Sequence, residues 1–377
     1  MYKRKAFLLA CKVLNKVRLN HLVYLVANFL VNVNRKSIKI IDSKTCEATL
    51  EEVSPDQGKS CVIDSHPLIS HHYDLQIIIP VYNVEKYVAD CLDSVFSQQT
   101  NYRYLVVVVN DGSTDHTADV LSNYVKHENM RIITQANRGL SGARNKGLEI
   151  IEAEYVTFLD SDDQLMPGAI QKLMDRASQN GSDMVAGGYE TFKGNETVTS
   201  CHLTPHDDYL HIPGFAWGKV FHSSLFVNIQ FPEKYLFEDT LVSMILFQRC
   251  RRVDIISDLV YRYRVNNQGI TATAVAKPKS LDSFWITKRL LEDRKNLGIE
   301  EKSSVFAIIL LRQIYINFSR IFTLGNKEVD KAVFVLSVKM IEDQFANRPS
   351  GLEKYEDLYQ ALISHNYSAY RWFCLLH

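Results

Sequence analysis

Residues 75–83 read Leu75-Gln76-Ile77-Ile78-Ile79-Pro80-Val81-Tyr82-Asn83, an apolar run that stops in proline, tyrosine and asparagine. A run of this kind is a strand buried on both faces, as in a parallel sheet. Helical spacing follows from Val84 to Phe96, with Val88, Cys91, Leu92 and Val95 on one face. Working outward, the alternation repeats. Tyr104–Val109 is a strand of nearly pure valine, and Asp115–Val125 a helix capped by Ser113 or Asp115. Arg131–Thr134, Tyr155–Leu159 and Asp183–Ala186 read as further strands, with helices over Leu140–Ile151 and Pro167–Ala177 between them. Strand and helix in regular alternation predict a doubly wound α/β sheet.

The flanks behave differently. Residues 1–41 form a basic, amphipathic helical segment, and residues 42–73 are polar and without period, as in a linker. The α/β domain spans 74–275. Beyond Tyr189 its alternation gives way to short strands, loops and a helix from Asp239 to Arg249. Residues 276–377 read as a helical C-terminal region with apolar stripes such as Val305–Leu311.

Ligands of open α/β sheets bind at the carboxyl ends of the strands. Here three strands end in polar clusters: Pro80-Val81-Tyr82-Asn83, Asn110-Asp111-Gly112-Ser113-Thr114-Asp115, and Asp160-Ser161-Asp162-Asp163. One cluster alone is a turn; three at one edge make a site. The last packs three carboxylates into four residues, which is costly unless a cation neutralises them. Hard oxygen donors suit Mg2+ or Mn2+, which bridge a few carboxylates to phosphates. A surface turn capping the helix before Pro167 is the competing reading. Asp111, at the end of a buried strand, is placed to read donor groups on a base. The stretch from Asn137 to Gly147 opens a helix with small residues, and Arg144 offers a planar fork for phosphate. There is no Walker loop, and no GxGxxG follows the first strand, which disfavours a nicotinamide dehydrogenase.

These motifs, in this order and approximate spacing, resemble glycosyltransferase family 2, inverting enzymes with the GT-A fold. The resemblance is specific over about residues 75–190. It continues through Phe215-Ala216-Trp217-Gly218-Lys219, Phe237-Glu238-Asp239-Thr240 and Tyr261-Arg262-Tyr263-Arg264. It implies a GT-A, Rossmann-like, doubly wound mixed sheet over 74–275, with the N-terminal arm and the C-terminal helices as additions. It also implies roles. Pro80, Tyr82 and Asp111 hold the nucleoside, with Asp111 on the base; Asn83 and Asn137 belong to the same substrate-binding set. Asp160 lies on the ribose side and, with Asp162, at the metal on the diphosphate. Asp239 is the general base, paired with Glu238. Arg144 lies near the nucleotide, and Arg262 or Arg264 near the diphosphate. Trp217 either stacks on the acceptor sugar or is a core tryptophan.

The implied reaction moves a sugar from a nucleoside-diphosphate donor, UDP by family habit, to a hydroxyl of a glycan or lipid-linked acceptor in surface polysaccharide synthesis. A nucleotidyltransferase or related nucleotide-sugar enzyme would share the sheet and the carboxylates without needing Glu238 and Asp239. A non-catalytic scaffold would not need the intact carboxylates.

Composition sets the remaining bounds. A net charge of zero supplies no global field for nucleic acid. Yet the chain before Asp42 carries nine basic and no acidic residues, Lys3 to Lys39. That segment suits either peripheral contact with anionic lipid or docking of a helical arm. The seven cysteines are scattered and odd in number, as expected for reduced thiols in a cytoplasmic protein, either free in the cytoplasm or peripheral on the inner face of the membrane. No stretch reads as a clean membrane-spanning helix.

Overall fold

The computed structural model describes residues 42–65, 67–205, 209–266, 269, 274–299 and 304–377. The basic arm, residues 1–41, lies outside them, and with it the expected lipid contact.

Strand β1 (Leu68–Val81) is the axis of the fold. It pairs in parallel with β2 (Tyr104–Asn110) on one side and with β4 (Ile150–Phe158) on the other, and β2 carries β3 (Met130–Thr134) on its far edge. The chain thus builds outward from β1 to β3 and then returns to the opposite side of β1. The carboxyl ends of β1 and β4 therefore flank the switch point where such sheets bind ligands. An antiparallel flank follows: β4 pairs β8 (Lys219–His222), which pairs β6 (Met184–Lys193). Strand β9 (Val253–Arg264) then runs parallel to β6 and carries the two-residue β5 (Gln164–Leu165). The hairpin strand β7 (Glu196–Cys201) pairs β6 alone.

Residues 42–73 depart from the linker expectation. They open with helix α1 (Ser43–Val53), whose N-cap Asp42 accepts from Lys44 N and Thr45 N. The strap after it is bonded throughout. Trp285 Nε1 donates to Ser54 O (2.8 Å), and buried Asp293 accepts from Ser60 Oγ and Cys61 N.

Alternation along β1 sorts its side chains between two cores. Leu75, Ile77, Ile79 and Val81 pack under helices α2 (Val88–Phe96) and α5 (Ala169–Asn180). Helix α2 buries Val88, Cys91, Leu92 and Val95, the face read from spacing. Helix α3 (Thr117–Ser122), after β2, is shorter than the spacing predicts. Ile78 points away from α2, into a core shared with the C-terminal helices. Gly147 of α4 (Gly139–Leu148) lies against it, and a Cβ there would sit 2.5 Å from Ile78 Cγ2, so glycine permits the close approach of helix and strand. Gln76, the polar residue in the run, is fully buried. Its amide donates to the carbonyls of Gly147 (2.9 Å) and Ile150 (3.1 Å) and accepts from Glu152 N (2.9 Å), tying the end of α4 to β4.

The C-terminal region is helical as expected: α6 (Asp282–Asn296), α7 (Ser304–Ile321), α8 (Lys327–Gln344), α9 (Glu356–Ile363) and α10 (Tyr367–Leu376). Helix α1 buries Cys46 and Leu50 and packs on α8. One apolar core runs from these helices into the sheet, joining Leu310, Phe334 and Tyr370 to Phe158, Met184 and Phe221. The stretch Ser304–Leu324 is long and apolar enough to cross a membrane, with a mean hydropathy of 1.5, yet most of its apolar side chains are buried within the protein. The closing Tyr370–Leu376 segment packs inward as well. The described cysteines Cys46, Cys61, Cys91, Cys201, Cys250 and Cys374 are all free thiols.

Candidate active site

The three polar strand ends meet as the sequence anticipated. Asn83, at the end of the first, adopts φ 51°, a left-handed conformation that asparagine tolerates. It donates its N–H to Ser113 Oγ (3.1 Å) and accepts from Thr114 N (2.8 Å) at Oδ1, locking the first cluster onto the second. Pro80 is buried opposite Val109, and Tyr82 stands out of the strand end with its ring half exposed.

Asp111 is almost fully buried. Its Oδ1 accepts from Gln135 Nε2 (2.7 Å) and Arg138 N (2.8 Å), and its Oδ2 from Gly139 N (2.8 Å). The carboxylate expected to stand open for a base is instead engaged at both oxygens, holding the turn that starts α4. Asn137, in that turn, is exposed and accepts from Gly139 N (3.2 Å).

The centre of the site is Arg144. It projects from α4 into full burial, with its guanidinium 5.3 Å from the Phe231 ring centroid. One amino group donates to Asp160 Oδ1 (2.7 Å), and the other is bound to Glu238 Oε1. A residue read as a phosphate fork is thus an internal clamp joining the β4 strand end to the Glu238-Asp239 segment, and it is not free to meet a ligand. A guanidinium suits this task because its planar fork presents two donors at once.

Around the Asp160–Asp163 turn the two far carboxylates differ. Asp163 is buried and accepts from Tyr261 OH (2.8 Å) and Arg264 N (2.7 Å). Asp162 accepts from Asn266 Nδ2 (3.2 Å). Burial, then the neighbouring Asp160 charge, lifts Asp162 above its ordinary range, and burial with both neighbours lifts Asp163 further. Arg264 braces the same turn. Its Nε donates to Asp162 O (2.7 Å), and its far amino group to Asp90 (2.9 Å). Arg262 is paired with Glu190.

Glu238 and Asp239, adjacent in sequence, have opposite surroundings. Glu238 is spent on Arg144. The Asp239 carboxylate, half-buried, makes no hydrogen bond or close ion pair among the described residues. Burial, followed by repulsion from Glu238, pushes it up to about 7, against the attraction of Arg320 and Arg144. A carboxylate that titrates near neutrality and is not committed to a partner is what proton abstraction requires.

Trp217 is a correction. Its ring lies between Phe215 (centroids 4.4 Å, interplanar 12°) and Tyr261 (4.2 Å, 11°), and it is buried. Both faces are covered, so it has none to offer an acceptor sugar. What it does instead is fix Tyr261, whose hydroxyl donates to Asp163 and accepts from Asp160 N (3.2 Å). Lys219 closes the 215–219 segment from inside, donating to Phe215 O (3.0 Å) and Trp217 O (3.2 Å); burial pulls its ammonium down to about 7. Sequence reasoning passed over Tyr261 and Lys219 as site residues, although both lie in the short motifs it quoted.

A parallel 3-2-1-4 sheet with an antiparallel flank and a carboxylate turn at the switch point is the GT-A class of α/β domain. Residues 76–234 match the profile of Glycosyl transferase family 2. Among curated relatives, the uncharacterized glycosyltransferase EpsJ of Bacillus subtilis (strain 168) is 31% identical over 54% of this chain and 63% of its own length. The poly(ribitol-phosphate) beta-glucosyltransferase of Bacillus spizizenii is 28% identical over 65% of this chain and 40% of its own. The chain therefore spans less than two thirds of either. Among solved structures, S. aureus TarS residues 1–349 in complex with UDP-GlcNAc shares the fold. The TM-score is 0.60 at 21% identity, over 79% of this chain and 89% of that one.

Proposed function

We propose that the chain is an inverting glycosyltransferase that moves a sugar from a UDP-linked donor to a hydroxyl of a glycan or lipid-linked acceptor in surface polysaccharide synthesis. The observation that carries this reading is the division of labour between Glu238, clamped by Arg144 to Asp160, and Asp239, left uncommitted beside it. The match of residues 76–234 to Glycosyl transferase family 2 supports the reaction class. The relative named for poly(ribitol-phosphate) glucosylation and the TarS complex with UDP-GlcNAc support the proposed acceptor and donor classes.

In this reading the acceptor hydroxyl gives its proton to the Asp239 carboxylate as its oxygen bonds to the anomeric carbon. The bond from that carbon to the diphosphate oxygen breaks, the electron pair leaves with UDP, and attack from the opposite face inverts the centre. Arg144 keeps the base segment and the Asp160 turn in fixed register, which is the orienting contribution. Pro80, Tyr82, Asn83 and Asn137 line the nucleoside side, with Asp111 shaping that wall.

A divalent cation fits the residues present. Asp160 Oδ2 and Asp162 Oδ1 accept no hydrogen bond from the described residues, and the Asp162 carboxyl is raised by burial and then by the Asp160 charge, both of which a cation would offset. Among the described residues no three acidic, histidine or cysteine side chains converge, so the chain offers a partial shell that a diphosphate would complete. Asp160 and Asp162 would hold Mg2+ or Mn2+, which when bound stabilises charge on the departing diphosphate. The proposed setting is the cytoplasmic face of the membrane, reached through the basic arm.

Asp239→Asn tests the reading. UDP affinity, measured by calorimetry, should stay within about twofold while release of UDP from a UDP-sugar falls on the order of 10²- to 10⁴-fold. Turnover near the wild-type rate would remove Asp239 from the chemistry and the proposal with it.

A further inference from the structure

The segment that carries Asp239 is held in place from outside the family-matched residues 76–234. Phe237, two positions before Asp239, has φ 68°, a left-handed backbone unfavourable for a bulky residue. Such an outlier persists only where its surroundings over-determine it, and it tends to mark a functional site. Three contacts do so here. Tyr235 OH donates to Asp56 (2.7 Å) from the N-terminal strap. Leu236 N donates to the buried Asp282 carboxylate (2.7 Å) at the start of α6. Over Phe237 itself lies the Arg320 guanidinium, 3.7 Å from the ring centroid, delivered by the last turn of α7 and tethered by a hydrogen bond to Ser283 Oγ (3.1 Å) of α6. Thr240 N donates to Phe237 O (3.0 Å), so the turn that aims Asp239 starts on the residue Arg320 covers.

The charged groups facing Asp239 among the described residues are Glu238 on its own segment, Arg144 of α4, Asp160 at the end of β4, Lys219 of β8 and Arg320 of α7. Arg144 is consumed by two carboxylates, and Lys219 by two carbonyls. Neither Lys219 nor Arg320 meets a carboxylate at close range among the described residues, and the Arg320 charge opposes the rise that burial and Glu238 impose on Asp239.

We infer that Arg320 is a positioning residue for the base. By stacking on Phe237 it fixes the turn that presents Asp239, so the C-terminal helices complete the active site. This rests on Asp239 being the base, as proposed above.

The test uses the full chain and a UDP-sugar that the wild type hydrolyses. Released UDP is followed from about pH 5.5 to 9, and UDP binding is measured by calorimetry. Arg320→Leu should lower kcat on the order of 10- to 100-fold, with donor KM and UDP affinity within about twofold and the acidic limb of the profile moved upward by about half a unit. Arg320→Lys should restore the limb and only part of kcat, since an ammonium keeps the charge without the planar stack. Phe237→Leu keeps apolar bulk but removes the ring, and should reproduce the kcat-only loss even if Arg320→Leu fails to fold. Wild-type kcat and limb in Arg320→Leu, or kcat and KM changing together in both variants, would overturn the inference. Asp239→Asn in the same series separates the two ideas. If it is inactive while Arg320→Leu is normal, only the positioning role falls. If it is active, the transferase reading falls first.

Discussion

Replacing Arg144 by methionine should cost the protein a large part of its stability, and the cost should shrink in acid. The substitution keeps an unbranched side chain of similar length and deletes the charge that Glu238 and Asp160 share. Glu238 is buried; the Asp160 side chain is about a quarter exposed. Removing one partner of a buried pair costs about 3–5 kcal/mol, because the remaining charge is stranded. Most of that falls on Glu238, since water screens Asp160 in part. Unfolding entropy of about 2.1 cal/mol/K per residue over 377 residues makes 1 kcal/mol worth about 1.3 °C, so the midpoint should drop by roughly 4–6 °C if the chain unfolds as one unit. Asp239, already pushed up to about 7 by burial and then Glu238, also loses the attraction of Arg144 and rises further, so the variant's deficit in urea should narrow as the pH is lowered from about 8 to 5. A loss below about 1 kcal/mol, or a deficit of the same size at both pH values, would refute the picture of Arg144 as a clamp between two ionised groups.

Two further outcomes follow from the site. Asp239 must be ionised to accept a proton, and its carboxyl is pushed up to about 7, so turnover should rise with pH through that value and lose its acidic limb in Asp239→Asn; a profile flat down to pH about 5 would contradict it. Tyr261→Phe removes the hydroxyl that donates to Asp163 and accepts from Asp160 N. It should cost about 1–3 kcal/mol of stability in urea unfolding and weaken UDP binding in the presence of Mn2+, whereas unchanged affinity would mean that the turn needs no aromatic brace.

The sheet was legible because its strands are long apolar runs and its helices keep a buried face. The first strand ends at Val81 in both sequence and structure, and the face of α2 was placed correctly from spacing. Helix α1 was not legible. It buries only Cys46 and Leu50, a single pair one turn apart, and is otherwise polar, so periodicity had too little to register; the Asp42 cap was the one local sign. Within the site, the motif residues at strand ends gathered as anticipated, because topology alone brings strand ends together. The roles of Arg144 and Trp217 did not follow from their motifs. Arg144 meets Glu238 across 94 positions of sequence, and Trp217 is sandwiched by a residue 44 positions on. No local pattern encodes which of two polar partners a buried arginine will choose. Arg320 sits in an apolar helix whose sequence advertises a core rather than a catalytic neighbour.

The docking of α1 on α8 also sets an order of events during synthesis. The surface that covers Cys46 and Leu50 is made of residues some 280 positions downstream, so α1 leaves the ribosome long before its partner exists. At about 5–20 residues per second the wait is roughly 15–60 s. For that interval the first helix of the described chain has nothing native of α8 to fold against, while the α/β sheet behind it can already assemble. The earliest part of the described chain is thus among the last to be closed, and a nascent protein stalled before α8 would present a formed sheet edge with its first helix still undocked.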